Sequence, residues 1–287
     1  TSGTFTAGAN TNIAGDWTNN GATFTHSSGT VTFNGASQTI GGSSSTTFYT
    51  IGTSGGASVS TGVATSIGGN LSVGDDTTFT AAGYALTVTG TTTVGGGTSG
   101  NLIISSATGT KIFTGLVTIN NGATWNNSGN SAVTLRGGIT NSGTFTAGSG
   151  VYTFDTNTQA LTGTFSIPNV TVTGVTLTNN NTLTVGTALS GTGGLTQAAG
   201  ATLNLGGTSG ITTLTATNTG NTVNYSGAAQ TIHSNNYYHL TLSGSGTVVM
   251  QSGTTAIGGD FTVGGTVTTT TAANLAITGN LSTGDGT

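Results

Sequence analysis

Short runs in which an apolar side chain alternates with Thr, Ser or Asn recur along this chain of 287 residues. Leu86-Thr87-Val88-Thr89 and Val170-Thr171-Val172-Thr173 are two examples, and Gly or Asn interrupts the alternation after a few residues. Alternation at a period of two is typical of a strand with one buried face, and Gly and Asn favour the intervening turns. The pattern therefore predicts many short strands, and the scarcity of good helix formers predicts an all-β chain.

Whole phrases of the sequence are repeated as well. Residues 2–8 and residues 142–148 both read SGTFTAG, and IGGNLSVG at 67–74 returns as IGGDFTVG at 257–264. A shorter period of about 20 residues lies inside these repeats. It is seen where each of three apolar residues is followed, 20 positions later, by another apolar residue. The residues are Val175, Leu183 and Val185, followed by Leu195, Leu203 and Leu205.

A unit of about 20 residues cannot bury its apolar side chains alone, but it can do so when stacked on its neighbours. We therefore predict a parallel β-helix (β-solenoid) with about three short strands in each coil and about 12–16 coils. The handedness rule for parallel crossovers favours a right-handed coil. Residues 1–287 are expected to form one continuous solenoid domain, as a segment or repeating unit of a longer fibre.

Charged side chains are rare in this sequence. It has two basic residues, six acidic residues, which are all Asp, and no Cys. Catalysis and metal binding draw on clusters of His, Asp, Glu, Lys and Arg, and nucleic-acid binding draws on a basic surface. We therefore expect no enzymatic activity, no cofactor and no nucleic-acid partner. No apolar run reaches 18 residues, so we also expect no membrane span.

The aspartates are the best candidates for chemistry. Asp16 and Asp260 each precede an inward apolar residue, and Asn70, Asn101 and Asn280 hold the corresponding position elsewhere. A position that accepts either Asp or Asn is typical of a turn, since both side chains bond to nearby backbone. We therefore assign these five residues to turns.

Two further groups of residues have a functional and a structural interpretation. Asp75 and Asp76 are adjacent carboxylates, but calcium-binding β-helix repeats need an Asp in many coils, so we predict no metal site there. Tyr237 and Tyr238 are candidates for contact with a sugar, with packing in the core or at a corner as the alternative.

Aromatic residues of the repeats predict the position of the core. We expect four of them to stack inside the coils: Phe24, Phe33, Phe145 and Phe154. Outward Thr and Asn, which lie above one another in such a stack, are expected to bond along its axis.

The repeats resemble those of giant bacterial surface proteins, the filamentous-haemagglutinin-like and autotransporter-type β-solenoids. The resemblance is carried by Gly69–Val73, by Trp17–Phe24, and by Val31–Ile40 with its Gln38. It covers the whole chain and implies a secreted protein with a surface or matrix role. It carries over no catalytic residue.

These observations lead us to expect a structural protein outside the cell or on its surface, assembled from coils stacked end to end. Read from its last residues into its first, the chain gives GNLSTGDGT-TSGTFTAG, which is close to GNLSVGDDTTFTAAG at 69–83. The expected partner is therefore another copy, either as a separate subunit or as a consecutive repeat of one longer chain.

Two alternatives are an adhesin stalk and a solenoid that binds surface glycans. A third is binding of ice or crystalline polysaccharide through outward Thr pairs such as Thr182/Thr184 and Thr213/Thr215. That function requires the pairs to align over many coils, whereas in the sequence their register drifts.

Overall fold

The computed structural model describes residues 3–284. The chain divides into two compact units, unit 1 (Thr1–Gly150) and unit 2 (Val151–Thr287). Within the described residues every strand pairing is parallel and no helix is present. The predicted β-solenoid is confirmed, with about 14 turns in all. The handedness of the coil and the continuity of one domain over 1–287 remain predictions.

Unit 1 contains 21 strands among its described residues, three in each coil. They are β1 (Thr4–Thr6), β2 (Thr11–Ile13), β3 (Trp17–Asn19), β4 (Thr23–Thr25), β5 (Thr30–Phe33), β6 (Gln38–Gly42), β7 (Thr46–Phe48), β8 (Thr50–Thr53), β9 (Ser58–Thr61), β10 (Thr65–Ile67), β11 (Leu71–Val73), β12 (Thr78–Ala81), β13 (Leu86–Val88), β14 (Thr92–Val94), β15 (Asn101–Ile104), β16 (Lys111–Phe113), β17 (Val117–Ile119), β18 (Thr124–Asn126), β19 (Val133–Leu135), β20 (Ile139–Asn141) and β21 (Thr144–Thr146).

Unit 2 contains 17 strands within the part that the structure describes. They are β22 (Val151–Phe154), β23 (Gln159–Thr162), β24 (Thr164–Ser166), β25 (Asn169–Val172), β26 (Thr176–Asn179), β27 (Thr182–Val185), β28 (Ala188–Gln197), β29 (Thr202–Leu205), β30 (Thr208–Thr215), β31 (Thr222–Tyr225), β32 (His239–Leu242), β33 (Ser245–Val249), β34 (Ala256–Ile257), β35 (Phe261–Val263), β36 (Thr266–Thr270), β37 (Ala276–Ile277) and β38 (Leu281–Thr283).

Most strands pair with the strand at the same position of the next coil. In unit 1 the third strands form one sheet from β3 to β21, and in unit 2 the third strands form one sheet from β24 to β38. The sequence period agrees with this register, since Leu183 pairs with Leu203 and Leu203 with Val223. One predicted match is wrong: Leu195 pairs with Leu177 rather than Val175, because this coil is shorter.

The core lies inside the coils as columns of apolar side chains. Val59, Phe79, Leu102 and Trp125 follow one another in register, and none of them is exposed. Full burial of such a side chain stabilises the fold by about 1.5–3 kcal/mol. Each coil contributes one layer of side chains to these columns. Every coil therefore depends on the coils before and after it to exclude water from its layer.

The four predicted core phenylalanines fall into two classes. Phe33 and Phe154 are fully buried, as predicted. Phe24 and Phe145 are only partly buried, which corrects the prediction for these two. Phe24 lies in β4, which pairs only with β1 among the described strands, and Phe145 lies in β21, the edge strand of its sheet. Such positions have fewer neighbours to cover an aromatic ring.

Candidate assembly site and predicted residues

The first described coil of unit 1 has an open side. Among the described strands β1, β2 and β3 each pair only with the next coil, and none of the three contains a charged residue or Pro. Natural β-proteins usually block a free edge with such residues. Phe5, in the middle of β1, is 50% exposed although it is in register with Phe24. Within the described residues no strand covers this edge.

Aromatic rings line the open side of this coil. The ring centroids of Phe5 and Phe24 lie 5.7 Å apart with nearly parallel planes, and Trp17 meets Phe24 edge-on at 4.6 Å. Trp17 Nε1 donates to Thr46 Oγ1 at 3.0 Å, which fixes the indole. The rings and the neighbouring turn enclose a hollow of about 230 Å³. Its walls can receive apolar side chains from a further coil.

The last described coil of unit 2 also has strands that pair on one side only. Strands β36, β37 and β38 pair only with β33, β34 and β35 among the described strands. Leu240, Phe261 and Leu281 form one inward column, and their exposed fractions are 0%, 4% and 58%. The column thus continues to the edge of the stack, where its last member is uncovered.

The predicted turn residues hold consecutive coils together. In three of them the side-chain oxygen accepts a backbone N–H from the next coil, 20 to 23 residues later along the chain. The bonds run from Thr39 N to Asp16 Oδ1 at 2.7 Å, from Thr91 N to Asn70 Oδ1 at 2.9 Å, and from Asn280 N to Asp260 Oδ1 at 2.8 Å. Asp and Asn are interchangeable in this role, because both provide the accepting oxygen.

Asn101 departs from this pattern. It is the first residue of β15 and pairs with Thr78 and Thr124 on the outer face of the sheet. The loop at 95–100 makes the turn in its place, with left-handed backbone at Gly95 and Gly100. Asn101 is therefore a strand residue, and its assignment to a turn is corrected.

Asp75, a candidate for ion binding, organises this same loop. Its Oδ1 accepts the backbone N–H groups of Gly96, Thr98 and Ser99 at 2.6, 3.3 and 3.0 Å. These donors, led by Ser99, lower the pKa of Asp75 to about 2. Asp76 Oδ1 accepts from Ser99 Oγ at 2.9 Å. In the described part of the chain no three His or Asp side chains gather where they could hold a metal ion.

Two glutamines make the same buried clamp in the two units. The side-chain carbonyl of Gln38 accepts from Gly35 N, and its amide donates to two carbonyls of the preceding coil, at Ile13 and Gly15. Gln230 accepts from Gly227 N and donates to Leu205 O and Gly207 O. In the sequence a Gln follows an alternating apolar strand, such as Val31–Phe33, in both units. The hydrogen bonds that its side chain makes could not be predicted from this recurrence. Each clamp joins a corner to the coil before it.

Lys111 is a second residue whose role the sequence did not indicate. It occupies an inward position in register with Leu86 and Val133, and it is 1% exposed. Its ammonium donates to three carbonyls, at Tyr84, Thr108 and Gly109, over 2.8 to 3.0 Å. Burial lowers the pKa of Lys111.

The two candidate tyrosines differ in exposure. Tyr237 is 1% exposed, and its hydroxyl lies 3.1 Å from the Tyr225 hydroxyl and donates to His233 O at 2.7 Å. It packs in the core and cannot offer its face to a sugar, so the packing alternative holds for this residue. Tyr238 is partly exposed, with its ring edge-on to His239 at 4.7 Å.

Thr222, His239 and Asp260 bring a hydroxyl, an imidazole and a carboxylate together on the outer face of unit 2. Thr222 lies opposite His239 in the register of β31 and β32, and His239 Nδ1 lies 3.7 Å from Asp260 Oδ2. In a hydrolytic triad, Nδ1–H points to the carboxylate and Nε2 accepts the hydroxyl proton. Here His239 Nδ1 instead accepts the backbone N–H of Asp260 at 2.9 Å. The Nδ1–H bond to the carboxylate that orients the imidazole of a triad is therefore absent from this group.

No protein-family model, curated protein or solved structure matches this chain.

Proposed function

We propose that this chain is a structural protein, outside the cell or on its surface, whose coils continue from one copy into the next to form a fibre. The copies are separate subunits or consecutive repeats of one longer chain. The observation that carries the proposal is the exposure of Phe5 and Leu281, each in the outermost described strand of its stack. Leu281 continues a column whose preceding members, Leu240 and Phe261, are covered.

A further coil would cover the apolar edge on each side and pair its free N–H and C=O groups. Burial of one large apolar side chain stabilises such a contact by about 1.5–3 kcal/mol. The two edges differ, since one presents the aromatic rings around Trp17 and the other presents Leu281. A contact between two different surfaces that does not close on itself builds an open filament.

The rest of the surface supports an extracellular role. It is rich in hydroxyl and amide groups and nearly free of charge, and the resemblance to bacterial surface solenoids rests on the same repeats. Within residues 3–284 no helix is long and apolar enough to cross a membrane.

Assembly of the purified chain tests the proposal. We expect filaments by electron microscopy and growing species in sedimentation velocity as the concentration rises. Phe5→Lys places a charge on the open edge and should abolish this growth. Tyr84→Lys, at a residue that is 47% exposed on a side loop, is the matched control and should assemble like the wild type. A wild-type chain that stays monomeric would contradict assembly from separate subunits.

A fusion of two copies tests assembly within one longer chain. Trp125 is fully buried, so iodide quenching of fluorescence reports mainly on Trp17. In the fusion one of the two Trp17 rings is covered by the preceding copy, and the quenchable fraction should fall by about half. If the fraction is unchanged and the fusion melts at the same temperature as the single copy, the proposed coil-on-coil contact does not form.

A further inference from the structure

Unit 2 has a groove of about 550 Å³ on the outer face of β26, β28 and β30. Seven Thr and three Gly residues line it together with Val175, and no charged or aromatic side chain does so among the described residues. Its volume lies in the range of about 300–1,000 Å³ that is usual for small-molecule sites.

The groove exists because an outward-facing column of Thr residues is interrupted by one residue without a side chain. Thr176, Gly194 and Thr213 pair in register on three consecutive coils, so Gly194 leaves a notch between two Thr side chains. The backbone does not require Gly here. Its φ is outside the left-handed region, and a Cβ would meet its nearest neighbour, the Thr213 Cβ, at an ordinary 3.5 Å.

The hydroxyls of the groove differ from those of a neighbouring face. On the adjoining third-strand sheet, Asn204 donates to Thr184 and Asn224 donates to Asn204, both at 3.3 Å, so these polar groups bond to each other. In the described residues the hydroxyls of Thr196 and Thr213 have no protein partner. They are free to donate to a ligand and to accept from it.

Thr156, which lines the groove, has a strained backbone, and this is an independent observation in favour of a binding site. Its φ is +70°, a conformation that is a genuine outlier for a β-branched residue. Strained residues of this kind cluster at binding sites. Thr156 Oγ1 donates to Asp155 Oδ1 at 2.9 Å, which places a carboxylate beside the groove and disfavours anionic ligands.

We propose that this groove binds a neutral oligosaccharide. Sugar hydroxyls donate and accept hydrogen bonds as Thr hydroxyls do, and the uncharged lining matches a neutral ligand. The notch at Gly194 lets a sugar ring approach the backbone. Because no aromatic side chain lines the groove, we expect binding to a single groove to be weak. The inference goes beyond the proposed fibre and does not depend on it.

Saturation-transfer NMR and calorimetry of the 287-residue chain with maltohexaose, cellohexaose and mannohexaose test the proposal. We expect at least one of these neutral hexasaccharides to bind. Gly194→Thr fills the notch without backbone strain and should weaken binding at least tenfold. Gly52→Thr is the matched control, because Gly52 is an outward strand residue of unit 1 with similar space around it, and it should change the Kd less than twofold.

Hydroxyl deletions sharpen the test. Thr196→Val and Thr213→Val keep the shape of the side chain and remove one hydrogen-bonding group each, so each should weaken binding about threefold to tenfold. The proposal is overturned if no neutral hexasaccharide binds at about 10 mM, if Gly194→Thr binds as well as the wild type, or if an anionic hexagalacturonate binds more tightly than all three neutral sugars.

Discussion

Each unit contains a stretch in which the coil departs from its usual path, and the two units stabilise that stretch by different chemistry. In unit 1 the loops at 95–100 and 105–110 lengthen one coil, so that Leu86 pairs with Lys111, 25 residues later. In unit 2 the stretch 226–238 forms no strand and touches its neighbours through isolated bridges. The first stretch is held by charged side chains, and the second by neutral ones.

Asp75 and Lys111 are counterparts in unit 1. One carboxylate oxygen collects three backbone N–H groups from one loop, and one ammonium collects three backbone carbonyls from another loop and a neighbouring coil. A loop that leaves the β-ladder has backbone groups without partners, and burying such groups unpaired is costly. A single charge with several bonds satisfies them together.

Unit 2 satisfies the same need with hydroxyl and amide groups. The Tyr225 hydroxyl accepts from His233 N at 2.9 Å, the Tyr237 hydroxyl donates to His233 O, and Gln230 anchors the corner that precedes them. Burial raises the pKa of both tyrosines. The two hydroxyls therefore stay neutral through the physiological range, whereas the Asp75 loop depends on a group that titrates in acid.

The largest effect is expected at Lys111. Lys111→Met keeps the aliphatic stem in the core but leaves three carbonyls without a donor, so the free energy of unfolding should fall by about 2–4 kcal/mol. Denaturant unfolding measures the change. Leu86→Met, in the same inward column, is the control and should cost less than about 1.5 kcal/mol. Equal effects of the two substitutions would show that the ammonium has no role in holding the loop.

A smaller effect is expected for the neutral network. Tyr237→Phe removes one hydroxyl, which leaves His233 O without that donor and Tyr225 without its hydroxyl partner, and should cost about 1–3 kcal/mol. Tyr49→Phe, at a residue that is 40% exposed, should be close to neutral. A loss for Tyr237→Phe no greater than that for Tyr49→Phe would mean that the hydroxyl pair does not stabilise this stretch.

The comparison also shows what the sequence could predict. The alternation of apolar and hydroxyl residues determines the strands, and the 20-residue interval between Leu183 and Leu203 determines their register, because a one-residue slip would turn the buried face outward. Both features were predictable. The turn positions of Asp16, Asn70 and Asp260 were also predictable, since corner chemistry is local.

The remaining features depend on contacts between neighbouring coils, which bring together residues that are distant in the sequence. Lys111 is an ordinary charged residue in the sequence, and its burial follows from loops whose path no local pattern encodes. Phe24 and Phe145 are large apolar residues of the kind that forms a core, but their exposure depends on the strands beside them. The groove at Gly194 arises from register across three coils, whereas a lone Gly in a strand sequence is equally typical of a bulge or a tight bend.

The smallest expected effect concerns pH and the Asp75 loop. The amides of Ser99, Gly96 and Thr98 hold the pKa of Asp75 at about 2, below its ordinary value of 3.8, because they bond to the ionised form. The folded chain therefore binds this proton less readily than the unfolded chain. The contribution to stability is complete above about pH 4 and is lost as the pH falls through about 2.

The amide shifts of Gly96 and Ser99 should titrate with a midpoint near pH 2. Asp75→Asn retains an accepting oxygen and should remove this titration, whereas Lys111→Met should leave the midpoint unchanged. A wild-type midpoint near the ordinary value of 3.8 would show that the three amides do not bind the carboxylate in solution.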